Sequence, residues 1–184
     1  MLILGSVLVL AQASAAAPGR PPSERPTNQC VTVAVSSPQA PKGRGAFSAT
    51  QILDLQFNAL LRSRIPGEHV LNLRVYTPKG HLYQQLDVPF RGQQTLPTGA
   101  ADDRGTTAAE PRMRRVDGYP QPLPEQELSV TRVAGVRGYG VHARLPVAGT
   151  SIMTSSLYGK WKVVPHLDGS LRPCAVATPF SITQ

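Results

Sequence analysis

Residues 70–90, VLNLRVYTPKGHLYQQLDVPF, decide the fold. Leu71, Leu73 and Val75 alternate with Asn72, Arg74 and Tyr76, the period of a strand with one buried face. Thr77-Pro78-Lys79-Gly80 then sets Pro at the second turn position, where its fixed φ suits a type I turn, and Gly at the fourth. A returning strand is expected from His81 to Phe90. Leu82, Leu86 and Val88 should face inward and Tyr83, Gln85 and Asp87 outward, with Gln84 the one polar interruption of the inward row.

The same two-residue period recurs on both sides of this hairpin. Val31, Val33 and Val35 alternate with Thr32 and Ala34 until Ser36-Ser37-Pro38 breaks the run, and Val141, Ala143, Leu145 and Val147 alternate with His142, Arg144 and Pro146. Further strands are expected over Leu128–Val133, Ser151–Tyr158, Lys160–Pro165 and Ala175–Ile182. Asp168-Gly169 reads as the tight turn of a hairpin, since primed turns need positive φ at both central residues.

Residues 48–64 fit two periods. Leu53, Leu55, Phe57, Ala59 and Leu61 alternate as in a strand, whereas Leu53, Phe57 and Leu60 also fit a helical stripe. The β surroundings favour a strand. No helices separate the strands, so a parallel α/β sheet is excluded, and the expectation is an all-β protein: an antiparallel β-sandwich of about seven strands. Residues 91–118, with almost no large apolar side chains, read as one long, irregular, mobile loop.

Residues 1–17 carry an uncharged apolar stretch, Leu2–Ala11, followed by small residues in an A-x-A pattern, which reads as a secretory signal peptide. That stretch is too short to span a membrane. No Cys directly follows it, so lipid anchoring is not expected and a periplasmic or extracellular location is. Residues 18–29, rich in Pro, Arg, Ser and Thr, read as a flexible tether, and residues 30–184 as a single domain.

Cys30 and Cys174 are the two cysteines; export would let them pair, tying the first strand to the last, and two buried free thiols are the alternative. The formal charge of +8 draws the chain to anionic surfaces at low salt. Arg112, Arg114 and Arg115 form the densest basic run and could grip an anion, or could be a solvated loop.

Two stretches resemble bacterial immunoglobulin-like or fibronectin-type sandwiches, the macroglobulin-type domains in particular. One is Gly67–Gly80 with the following Leu82-Tyr83; the other is Leu157–Val163, with Asp168-Gly169 and Phe180-Ser181-Ile182 after it. Gly-x-Trp-x-Val, here Gly159–Val163, is common to many sandwiches. The resemblance implies architecture; such folds serve adhesion, assembly, carbohydrate binding and spacing alike. The cysteines depart from the antibody pattern, in which they bracket a buried Trp.

Signatures of chemistry are sparse. His69, His81, His142 and His166 are scattered, without the spacing of metal ligands, and no cofactor is expected. Neither Gly-x-Ser-x-Gly nor Ser-x-x-Lys occurs, and Asp102-Asp103 lack the fixed geometry that acid–base work needs. Gly135–Gly140 lacks the spacing of a phosphate loop; its glycines suit a turn or bulge, and Tyr139 between them either packs as an ordinary strand residue or is exposed for stacking on a sugar or base. With aromatics at 5%, a nucleic-acid stacking platform is not expected. Trp161, with Tyr158, Val163 and Phe180, reads as core.

The expectation is thus a non-enzymatic, exported interaction module of the bacterial envelope, binding another protein or an anionic polymer. The competing readings are a hydrolase with dispersed active-site residues and a structural spacer.

Overall fold

The computed structural model describes residues 30–40, 45–61, 65–92, 112–133 and 135–184. The expected signal peptide and tether lie outside these. Twelve strands and one helical turn follow in order: β1 (Val31–Ser36), β2 (Ala46–Ser48), β3 (Asp54–Leu61), β4 (Gly67–Tyr76), β5 (Leu82–Gly92), β6 (Met113–Arg114), β7 (Leu123–Pro124), β8 (Gln126–Glu127), β9 (Ser129–Val133), β10 (Val136–Pro146), α1 (Ser151–Thr154), β11 (Gly159–Leu167) and β12 (Thr178–Thr183). The fold is all-β, as expected.

One sheet has the order β1-β3-β10-β9, a second the order β2-β12-β11-β4-β5-β8, and β6 pairs with β7 in a two-stranded ribbon. Pairing is antiparallel except at the two margins of the larger sheet, where β2 joins β12 and β8 joins β5 in parallel. The expectation of wholly antiparallel pairing is corrected there. Both exceptions are margin strands of two or three residues, and neither is joined to its neighbour by a hairpin.

The two larger sheets share one core. Leu55, Phe57, Leu73, Val75, Trp161, Phe180 and Ile182 are all buried in it, and the Phe57 ring of one sheet meets Phe180 of the other edge-on, centroids 5.7 Å apart. Trp161 fills the larger sheet's inner face, its indole N–H donating to the Leu157 carbonyl at 2.9 Å and its ring against Tyr83. Such a buried indole needs that acceptor.

Residues 54–61 form a strand, with Leu55, Phe57, Ala59 and Leu61 buried on the core side. Leu60 is buried as well, on the opposite face, which is why the segment also fitted a helical stripe. The 70–90 hairpin forms with the expected turn, Gly80 N–H donating to the Thr77 carbonyl at 2.9 Å. Its inward row needs one correction. Val75 opposes Gln84 and Tyr76 opposes Leu82, so Tyr83 sits in a bulge; it packs on Trp161 while Leu82 is exposed.

Ser151–Tyr158 is not a strand. Ser151–Thr154 make a helical turn capped by Thr150, whose hydroxyl oxygen accepts from Ile152 N–H at 3.3 Å. Hydroxyl side chains that capture nearby amides favour such a cap over a ladder. Asp168-Gly169 does turn with positive φ at both residues, but no strand returns at once: residues 170–177 form a loop, and β12 starts at Thr178 opposite Val163. Of the expected loop 91–118, Arg91 and Gly92 end β5 and Met113-Arg114 are β6; residues 93–111 lie outside the described residues.

The expected disulfide is present: Cys30 and Cys174 are bonded, and the Cys30 amide donates to the Cys174 carbonyl at 3.0 Å. The bond joins the start of β1, in one sheet, to the loop leading into β12, in the other.

Candidate anion-binding cleft

The outer face of β4 and β5 carries Val70, Asn72, Arg74, Gln85 and Asp87, and the Asp168-Gly169 turn lines one end of it; His69 lies on the opposite, core-side row, at the end of β4. Asp168 is held twice, accepting from Val70 N–H at 2.9 Å and meeting His69 Nδ1 at 2.8 Å. His69 Nε2 lies 3.1 Å from the Pro66 carbonyl, and its ring rests on Phe90. Asn72 donates to Asp87 at 2.7 Å and accepts from Gly169 N–H at 2.9 Å; Gln85 donates to both oxygens of Asp87. Burial, and then the charge of Asp87, raise the pKa of the Tyr119 hydroxyl beside it.

Across this face lies the β6–β7 ribbon, which carries the basic run. Arg114 donates to the His69 carbonyl at 3.1 Å, so its guanidinium is fixed to the sheet. Arg112 and Arg115 are exposed and have no ion-pair partner among the described residues. Glu125, next to β7, is buried: its Oε2 accepts from Arg91 Nε at 3.2 Å, its Oε1 lies 4.0 Å from Arg114 Nη1, and its amide donates to the Arg112 carbonyl. Arg91 reaches Glu68 with its other arm.

The segment 112–117 therefore separates two clefts. One, of about 420 Å³, is lined by Arg91, Arg112, Arg114 and Arg115 against Glu68 and Glu125. The other, of about 400 Å³, adds Asp87, Asp117 and Asp168 to Arg114 and Arg115. Guanidinium groups converging on a cleft bind carboxylates or phosphates in paired, geometrically specific hydrogen bonds. Because Glu125 already occupies Arg91 and partly Arg114, Arg112 and Arg115 are the groups left to a ligand.

The structure thus brings Arg112, Arg114 and Arg115 together at the rim of these clefts: Arg114 belongs to β6 and is fixed to the sheet, while Arg112 and Arg115 flank that two-residue strand and are exposed. Tyr139 is elsewhere: it sits in β10 between Leu61 and Val130, half-buried against the core, in the packed arrangement that was the alternative to an exposed stacking ring. Sequence reading missed Arg91 and Glu125, which are 34 residues apart. A weak signal existed in Arg91 ending an apolar strand and Glu125 in a Pro-rich stretch.

Among the described residues no group of His, Cys, Asp and Glu could hold a metal ion, and no Ser, Thr or Cys side chain hydrogen-bonds a histidine ring. No described helix is long and apolar enough to cross a membrane. In comparisons with known proteins, no family model matches the chain, no characterised protein matches it and no solved structure matches it.

Proposed function

We propose that the protein is an exported, non-enzymatic binding module of a bacterial envelope, built on an immunoglobulin-like sandwich, that holds an anionic polymer across the β6–β7 ribbon. One observation carries the reading: Arg112 and Arg115 flank the short strand β6, on either side of a fixed Arg114, and line the same cleft with their charges unmatched among the described residues. The disulfide supports the exported location, because such bonds persist in oxidising compartments. The shared chemistry of the ligand is a row of carboxylates or phosphates.

Hydrogen exchange, read with and without polyglutamate and with and without polyphosphate, tests this. Protection concentrated at residues 112–127 by either polymer supports the cleft, and the stronger of the two names the anion. Protection spread evenly over the surface, or absent from this ribbon, contradicts it.

A further inference from the structure

The β9–β10 hairpin carries a charge arrangement that its own fold does not compensate. Arg132 and Arg137 are directly opposite each other in the ladder, both exposed, and neither has an ion-pair partner among the described residues. Like charges facing across strands destabilise a sheet. Neither β9 nor β10 contains an acidic residue.

The same place is an open edge. β9 ends its sheet, and no described strand pairs with its outer side. The ladder alternation identifies which residues face outward. His142 directs its N–H and carbonyl to the β9 side of β10, where the Gln126 side chain bonds both, at 2.9 and 2.7 Å. Gly140 and Gly138 share that direction and meet Ser129 and Thr131, so Val130 and Arg132 turn their N–H and carbonyl groups outward. Val130 is itself 54% exposed. An open edge is a template for another strand, and a charged edge side chain such as Arg132 repels like-charged strands while leaving the edge to one of opposite charge.

We propose that the outer edge of β9 binds an extended segment of a partner protein as an added strand, with an apolar residue beside Val130 and an acidic residue two positions away beside Arg132. Backbone pairing supplies the affinity, and the Arg132–Arg137 pair selects the acid. A second copy of this chain is disfavoured as occupant: pairing β9 with β9 would gather four guanidinium groups and no carboxylate. The site is separate from the arginine cleft and does not depend on it.

The test uses a fluorescein-labelled peptide in which Thr alternates with Val and Glu, its Lys-for-Glu counterpart, and a version with alternate amides N-methylated, each titrated against the full chain by anisotropy. The acidic peptide is expected to bind about tenfold or more tightly than the Lys peptide, the worth of one well-placed charge contact. N-methylation should abolish binding, and R132E/R137E should invert the preference. R112A/R115A should leave it unchanged, whereas failure of the cleft reading would show only in polymer binding. Equal binding of the N-methylated peptide, no preference between the charged peptides, no binding of any of them, or a dimer that R132E dissolves would each overturn the proposal. As a folding control, R132E should raise the melting temperature of the free protein by relieving the repulsion.

Discussion

Glu125 Oε2 accepts a hydrogen bond from Arg91 Nε at 3.2 Å, and the glutamate side chain is only 5% exposed while the arginine is 40% exposed. The pair is a buried anion facing a half-open cation. It keeps Arg91 from competing for a ligand and holds the β6–β7 ribbon to the larger sheet. Glu125→Gln removes that counter-ion. The exposed side of Arg91 remains hydrated, so the expected loss of stability is about 1–3 kcal/mol, below that of a fully enclosed pair. Urea denaturation measures it, and binding of an anionic polymer should strengthen in the same variant because Arg91 and Arg114 become available.

The disulfide closes a separation of 144 residues between Cys30 and Cys174. In the chain-entropy account, opening a loop of this size costs about 4–5 kcal/mol, less whatever structure the reduced denatured chain retains. Cys30→Ser with Cys174→Ser should lower the denaturation midpoint accordingly. Adding reductant should lower the wild-type midpoint to match the double variant and leave that variant unaffected.

His166 is buried, with Nδ1 2.9 Å from the Ser170 carbonyl, and its pKa is lowered, first by burial and then by the charge of Arg74. A folded-state value below the unfolded one means that the unfolded chain takes up the proton first. The stabilising contribution is therefore complete above the unfolded value of about 6.5 and is lost as pH falls from there through the folded value. Stability should decline on acidification through this window, and His166→Gln should flatten that part of the profile.

Gly138 and Gly140 allow β10 to lie close to its neighbours. A Cβ at Gly138 would stand 2.7 Å from the Leu61 carbonyl oxygen and 2.8 Å from the Leu60 side chain; at Gly140 it would stand 2.5 Å from the Thr131 methyl. Gly138→Ala must displace backbone and is expected to cost about 1–3 kcal/mol by overpacking. Chemical denaturation of the purified variant checks the value.

Alternation made the main strands legible: Val31, Val33, Val141, Ala143 and Leu145 are all buried where the period puts them. What alternation does not encode is less regular. The bulge that exchanges Leu82 for Tyr83 depends on turn geometry, and the helical turn at Ser151 on a hydroxyl cap, which in sequence looks like a β-rich Ser/Thr run. The short strands β2, β6, β7 and β8 hold two or three residues each, too few to display a period. The arginine run of the cleft was visible; its counter-ion Glu125 was not, because their proximity is created by β6 crossing the outer face of β4 and β5.

Net charge alone would attract anions to any part of this surface, so the most direct test compares two variants that lose the same charge in different places. Polyglutamate and polyphosphate affinities should be measured by anisotropy for wild type, R112A/R115A and R132A/R137A at low and at near-physiological salt. The cleft account predicts that R112A/R115A weakens polymer binding about tenfold or more at the higher salt, where long-range attraction is screened, while R132A/R137A changes it by less than about twofold. Equal losses in the two variants would contradict it, leaving general charge as the cause of binding.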